Sequence, residues 1–224
     1  MPNIGYVLDG YDIFKGNPKR TTEAIPDPGF RNQHIFQTSF SEGRTTLDGR
    51  YLVPNHMDVK PCRGDCSMSF VSKDISGMSS YQSSLDRKVS LDGSGFDARF
   101  SASLDYKRVE DHTEKDSKLF IHSEISCCSY VASLSVFDLP SFAENFKNGL
   151  KSLPKEYDVK KYRSFVDVFG THFVKTATMG AIYGQQSEIT HKSWTRMVDS
   201  DMNIDTSAGY SGMIFYDIHF VFKQ

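Results

Sequence analysis

Two stretches of this chain alternate in polarity residue by residue, and that period constrains the fold more than any other feature. In the first, Phe96, Ala98, Phe100, Ala102, Leu104 and Tyr106 alternate with Asp97, Arg99, Ser101, Ser103 and Asp105. In the second, Ile204, Thr206, Ala208, Tyr210, Gly212, Ile214, Tyr216, Ile218, Phe220 and Phe222 share one side. Asp205, Ser207, Ser211, Asp217, His219 and Lys223 lie among the residues of the other side, which Met213, Phe215 and Val221 blur. Neighbouring side chains of a strand point to opposite faces, whereas those of one helix face recur every three or four residues. Both stretches therefore predict amphipathic strands, the normal mark of an antiparallel sheet with one wet face.

The chain between them changes character. Lys107 to Lys118 is dense in charge and must be solvated. Leu119 to Phe137, rich in serine, β-branched and aromatic residues, predicts a second strand of mixed faces. Asp138-Leu139-Pro140-Ser141 opens a helix with Phe142, Phe146, Leu150 and Leu153 on one face, stopped by Pro154. Tyr157 to Val168 predicts another, with Tyr162, Phe165, Val166 and Phe169 on a common side, Lys160, Lys161 and Arg163 outside, and Gly170 ending it. Phe173 to Ile189 then reads as one long strand interrupted by Gly180 and Gly184, and Trp194 to Asp201 as a turn-like or helical patch. Residues 1–60 are punctuated by Gly and Pro turns, which predicts loops and short strands.

Composition narrows the function. The 224 residues, 38% of them hydrophobic, suffice for a real core in one domain. With 26 basic against 28 acidic residues, no electrostatic footprint for nucleic acid appears. Four cysteines, Cys62, Cys66 and the adjacent Cys127 and Cys128, are compatible with disulfides in an oxidising compartment. Three pairings are open, and the expectation is a small staple from Cys62 to Cys66. Cys-x3-Cys with no partner pair is poor evidence for zinc, so no metal or cofactor is expected. No nucleophile, base and oxyanion site can be assembled, and the chain is expected not to be an enzyme.

One motif is far more specific. Tyr162 is followed, after six residues, by Phe169-Gly170-Thr171-His172-Phe173, and this pattern resembles the signature of the membrane attack complex/perforin (MACPF) family. The opening from Gly10 through Asn17-Pro18 to Asp27-Pro28-Gly29-Phe30-Arg31 is similar to the start of many such domains. The resemblance implies an α+β fold with a strongly bent, twisted antiparallel sheet and flanking helices. It also implies two helical clusters that refold into membrane-spanning hairpins, here about 86–118 and from about 194 to 224. Tyr162, Phe169, Gly170, Thr171, His172 and Phe173 then become a hinge, with His172 structural and Gly180 and Gly184 bending the strand. The family usually carries a Gly-Gly pair where this chain has Gly180-Ala181.

An isolated hairpin leaves backbone groups unpaired in lipid at several kcal/mol each, so insertion requires a closed ring of many hairpins. The implied partners are a lipid membrane and further copies of the chain or related subunits. The candidate lipid-facing residues are Phe96, Ala98, Phe100, Ala102, Leu104, Tyr106, Tyr210, Ile214, Tyr216 and Ile218. The implied setting is secretion followed by attachment to a target membrane, and the implied function is a β-barrel pore. A non-lytic adhesion or signalling module is the alternative, for which Arg63-Gly64-Asp65 inside Cys62 to Cys66 offers an integrin-type loop. A complete domain of this kind resembles about 300 residues, so the expectation is a truncated domain lacking its C-terminal part.

Overall fold

The computed structural model describes residues 1–18, 27–62, 71–75, 77–86, 99–114, 118–135, 137–190 and 192. Its spine is β5 (Lys118–Leu134), a 17-residue strand paired antiparallel along nearly its whole length with β7 (Thr176–Thr190). The opposite edge of β5 is shared. β4 (Val71–Ile75) covers Phe120 to Glu124, and β3 (Met57–Pro61) covers Tyr130 to Leu134. Pro61 closes an edge strand, where its missing N–H interrupts no central ladder.

A smaller sheet has the order β2 (Phe30–His34), β1 (Asp9–Tyr11), β6 (His172–Phe173). It joins the start of the chain to the signature. A short 3-10 turn over Ile4–Leu8 carries Val7 and Leu8 into a core shared with Ile35, Phe36, Met57, Tyr130, Ala132 and Leu134. Burial of these side chains, at about 1.5–3 kcal/mol for each large one, holds the two sheets together. The Tyr130 hydroxyl also donates to the carbonyl of Pro2.

Among the described residues, the helices α1 (Met78–Asp86), α2 (Leu104–Glu114), α3 (Glu144–Ser152) and α4 (Val159–Phe169) flank the sheets. The Asp158 carboxylate caps α4 by accepting from the N–H groups of Lys160 (2.9 Å) and Lys161 (3.2 Å). A second core, of Tyr11, Ile13, Tyr81, Leu85, Phe100 and Val109, seats α1 and α2 against the opening segment. No helix among the described residues is long and apolar enough to cross a membrane.

Three sequence expectations are corrected. The alternating stretch is not a strand where it is described: residues 99–102 are turn and Leu104 begins α2. Alternate residues of a helix lie about 200° apart, so the apolar set is dispersed. Phe100 is fully buried, Tyr106 packs on Tyr81, and Leu104 is 85% exposed. The strand expected from Phe173 to Ile189 divides in two: Phe173 pairs with Gly10, while β7 starts at Thr176 and runs unbroken through Gly180 and Gly184. Cys62 is bonded to Cys128, not to Cys66, and Cys127 is also disulfide-bonded. The last of these follows from register. β3 ends beside β5 at Pro61↔Tyr130, which delivers Cys62 to Cys128 with their Cα atoms 5.7 Å apart.

Candidate functional site

Helix α4 supplies the signature's frame. Its buried and half-buried residues are Tyr162, Phe165, Val166 and Phe169, the 3–4 spacing that the sequence carries. The rings of Phe165 and Phe169 join Phe146 and Phe142 of the α3 region in a run of aromatic contacts with centroids 5.0–5.7 Å apart, which continues to Phe36 and from there to Phe173. Tyr162 sits at the other end of α4 from Gly170, about 12 Å away at 1.5 Å per residue. Its hydroxyl donates to the Pro154 carbonyl (3.2 Å), and its ring lies on Tyr157. Tyr162 thus braces the α3–α4 connection and takes no part in the turn.

The turn is an interlock with the opening segment. Gly170 has φ 80° and ψ −176°, a region that only glycine occupies readily. A Cβ there would stand 2.6–2.7 Å from backbone N, C and O of Tyr11. From the other side, a Cβ on Gly10 would fall 1.7 Å from the carbonyl oxygen of Phe169. Each glycine admits the backbone of the residue beside the other, so the two motifs, about 160 residues apart, are halves of one contact.

Thr171 rivets it. Its N–H donates to the Tyr11 carbonyl (3.0 Å), and its hydroxyl oxygen accepts the N–H of Ile13 (3.1 Å). The same hydroxyl faces the Tyr11 carbonyl at 3.2 Å and Nδ1 of His172 at 2.8 Å. His172 is half-buried, and burial pulls its imidazole below the usual 6.5 against a smaller opposing pull from Asp12.

The opening segment is itself locked. Gly16 and Gly29 lie against the Tyr11 ring, where a Cβ on either would come within 2.1–2.4 Å of it. The Tyr11 hydroxyl donates to Asp27 (2.9 Å), whose other oxygen accepts the N–H groups of Asn17 (2.7 Å) and Gly29 (2.8 Å). Burial first, then the Asp27 charge, pushes the Tyr11 phenol far above its ordinary range. Buried Asp12 meets Arg31 at 3.2 Å and accepts from the Phe14 N–H at 3.0 Å. Lys15 reaches Asp167 of α4 at 2.7 Å and holds that exposed carboxyl below its ordinary value. Asp167 is therefore tied across to the opening segment.

On the main sheet, Gly180 is a structural requirement, and Gly184 pairs with Glu124 in the ladder. Ser129 is the extra residue of a bulge in β5, since Cys128 faces Gly180 and Tyr130 faces Met179. A Cβ on Gly180 would fall 1.9 Å from the Cys127 carbonyl oxygen. Ala181, where the resemblance anticipates a second glycine, opposes Cys127 in the ladder. The Cys62 N–H donates to the Ser129 carbonyl (3.1 Å), so the disulfide and a hydrogen bond both clamp the bulge.

The chain matches the description of the MAC/Perforin domain over residues 1–223. It belongs to the MACPF family. Among solved structures, the MACPF chain is similar to GNIP1Aa from Chromobacterium piscinae, at 17% identity and a TM-score of 0.55 over 94% of its length. It spans 37% of that protein. It also aligns with astrotactin-2, described as a vertebrate-specific, perforin-like membrane protein involved in neuronal development. That match has 16% identity and a TM-score of 0.45, and covers 96% of this chain and 73% of the other. The likeness is one of fold: a mixed arrangement of helices and small, open antiparallel sheets. Family and disulfide together indicate an extracellular or membrane-associated protein.

Of the other sequence-marked residues, Arg63, Gly64, Asp65, Cys66, Phe96, Ala98, Tyr210, Ile214, Tyr216 and Ile218 lie outside the described residues, as does the Trp194 to Asp201 patch. Sequence reasoning missed Tyr11, Asp27 and Lys15 as parts of the signature site. The signs available were the similarity of the opening segment to the start of MACPF domains and the density of Gly, Asp and Pro in it.

Proposed function

We propose that this MACPF chain is a secreted pore-forming protein that assembles into a ring on a lipid membrane and contributes hairpins to a shared β-barrel. In this reading, residues 86–118 supply the first hairpin and the segment from about 194 to 224 begins the second. One observation carries it. Residues 100–106 have the alternation of a strand, yet they are turn and helix, docked on the opening segment and on α1. A strand pattern stored in helical form fits a segment whose second conformation is extended. In lipid, that conformation is stable only when neighbouring hairpins close the ring and leave no edge unpaired. The proposal includes no catalytic chemistry.

The test is dye release from liposomes of varied lipid composition by the complete protein, with electron microscopy of the membranes. Leakage accompanied by rings supports the pore. Membrane binding without leakage or rings would point instead to a non-lytic adhesion or signalling role.

A further inference from the structure

The Ile13–Asn17 segment bridges the signature and the convertible region, touching a different neighbour on each side. Toward the signature, the Ile13 N–H donates to the Thr171 hydroxyl at 3.1 Å. Toward the convertible region, the Ile13 carbonyl accepts the N–H of Phe100 (2.8 Å) and the Phe14 carbonyl that of Ala102 (3.0 Å). The Asn17 side-chain amide then donates to the Asp105 carboxylate at the start of α2.

Phe100 is where this bridge grips. Its φ is 63°, an unusual conformation for a bulky residue, and its side chain is fully buried among Tyr11, Ile13, Tyr81, Leu85 and Val109. Such a conformation persists only when the surroundings over-determine it. An extended strand returns φ to negative values, so the backbone at Phe100 favours conversion while its packing opposes it. Further along α2, Arg108 and His112 meet Glu188 of β7 at 3.4 and 3.1 Å, which gives the segment a second tie.

We propose that the Ile13–Asn17 segment is a latch that couples the signature turn to residues 99–114, with Phe100 as its catch. Loosening Thr171 releases the convertible segment without touching it. The latch rests on the pore reading only for the consequence of release. As a contact relay it stands on the geometry above.

Hydrogen exchange of the full chain separates the two. Thr171→Val keeps the shape and removes the hydroxyl that holds Ile13. It should raise exchange of the peptides covering 99–114 by tenfold or more, while those of α3 stay within twofold. Asn17→Asp sets a second carboxylate against Asp105, and should do the same even if Thr171→Val fails to fold. Unchanged exchange at 99–114 in a folded variant, or an equal rise across the whole chain, overturns the latch. The same variants are then added to dye-loaded vesicles of phosphatidylcholine, phosphatidylserine and cholesterol. Local exchange that rises without leakage supports the latch and counts against the pore. Faster leakage without local exchange supports the pore and overturns the latch.

Discussion

Gly170→Ala tests the interlock between the two motifs most directly. Two separate costs arise. The backbone at φ 80° and ψ −176° lies where a residue with a Cβ is strained by about 1–3 kcal/mol. The new methyl would also meet Tyr11 N, C and O at 2.6–2.7 Å. Those are backbone atoms of β1, held by β2 and β6 on either side, so they cannot rotate away as a side chain would. Overpacking of this kind adds about 1–3 kcal/mol. Taking about 4 kcal/mol for the sum, the melting temperature should fall by roughly 8–16 °C, at about 2–4 °C per kcal/mol for a chain of this size. Two internal controls divide the cost. Gly43 has φ 62° with open space around it, so Gly43→Ala should cost only the strain, about 1–2 kcal/mol. Gly77 has neither feature, and Gly77→Ala should stay within about 0.5 kcal/mol. Thermal melts followed by circular dichroism give all three. If Gly170→Ala melts with Gly43→Ala, the crowding by Tyr11 does not exist and the interlock is wrong.

Further predictions are independent of that contact. Peptide mapping without reduction should recover Cys62 joined to the peptide that carries Cys128. Replacing both by Ala should destabilise the chain in urea unfolding by less than the ~4 kcal/mol that closing a loop of this separation in an open chain is worth, because the disulfide of Cys127 still restricts the unfolded chain. Asp158→Ala removes the cap of α4 and should cost about 1 kcal/mol by the same assay. His172 has its folded-state pKa lowered, so its contribution is complete above 6.5, where both states are neutral. As pH falls below 6.5 the unfolded chain takes up the proton first and stability drops until the folded ring also protonates. His172→Gln should therefore flatten stability between pH 7.5 and 5.5. An unchanged slope in that variant would assign the pH dependence to other groups.

Local signals were read well where local energetics decide. The 3–4 spacing of Tyr162, Phe165, Val166 and Phe169 marks the buried side of α4, and the β-rich run after Leu119 marks the central strand β5. Periodicity alone misreads residues 100–106, where the family resemblance implies a helical cluster, because alternation records which side chains can share a face, not whether the backbone is extended. Tertiary packing around Phe100 holds a strand pattern as turn and helix. Cys62 was misassigned for a related reason. Proximity along the chain favours Cys66, but the β3–β5 register brings Cys128 to 5.7 Å.

The amino-acid sequence by itself determined the family, through Tyr162 and Phe169 to Phe173, and the places where glycine is needed. Only the tertiary structure decided what those glycines are for. Gly10 admits the Phe169 carbonyl, Gly170 admits the Tyr11 backbone, and Gly180 admits the Cys127 carbonyl across a bulge. At these three positions glycine marks a close approach, and only the folded chain says of what, because the approaching atoms are backbone and carry no residue identity.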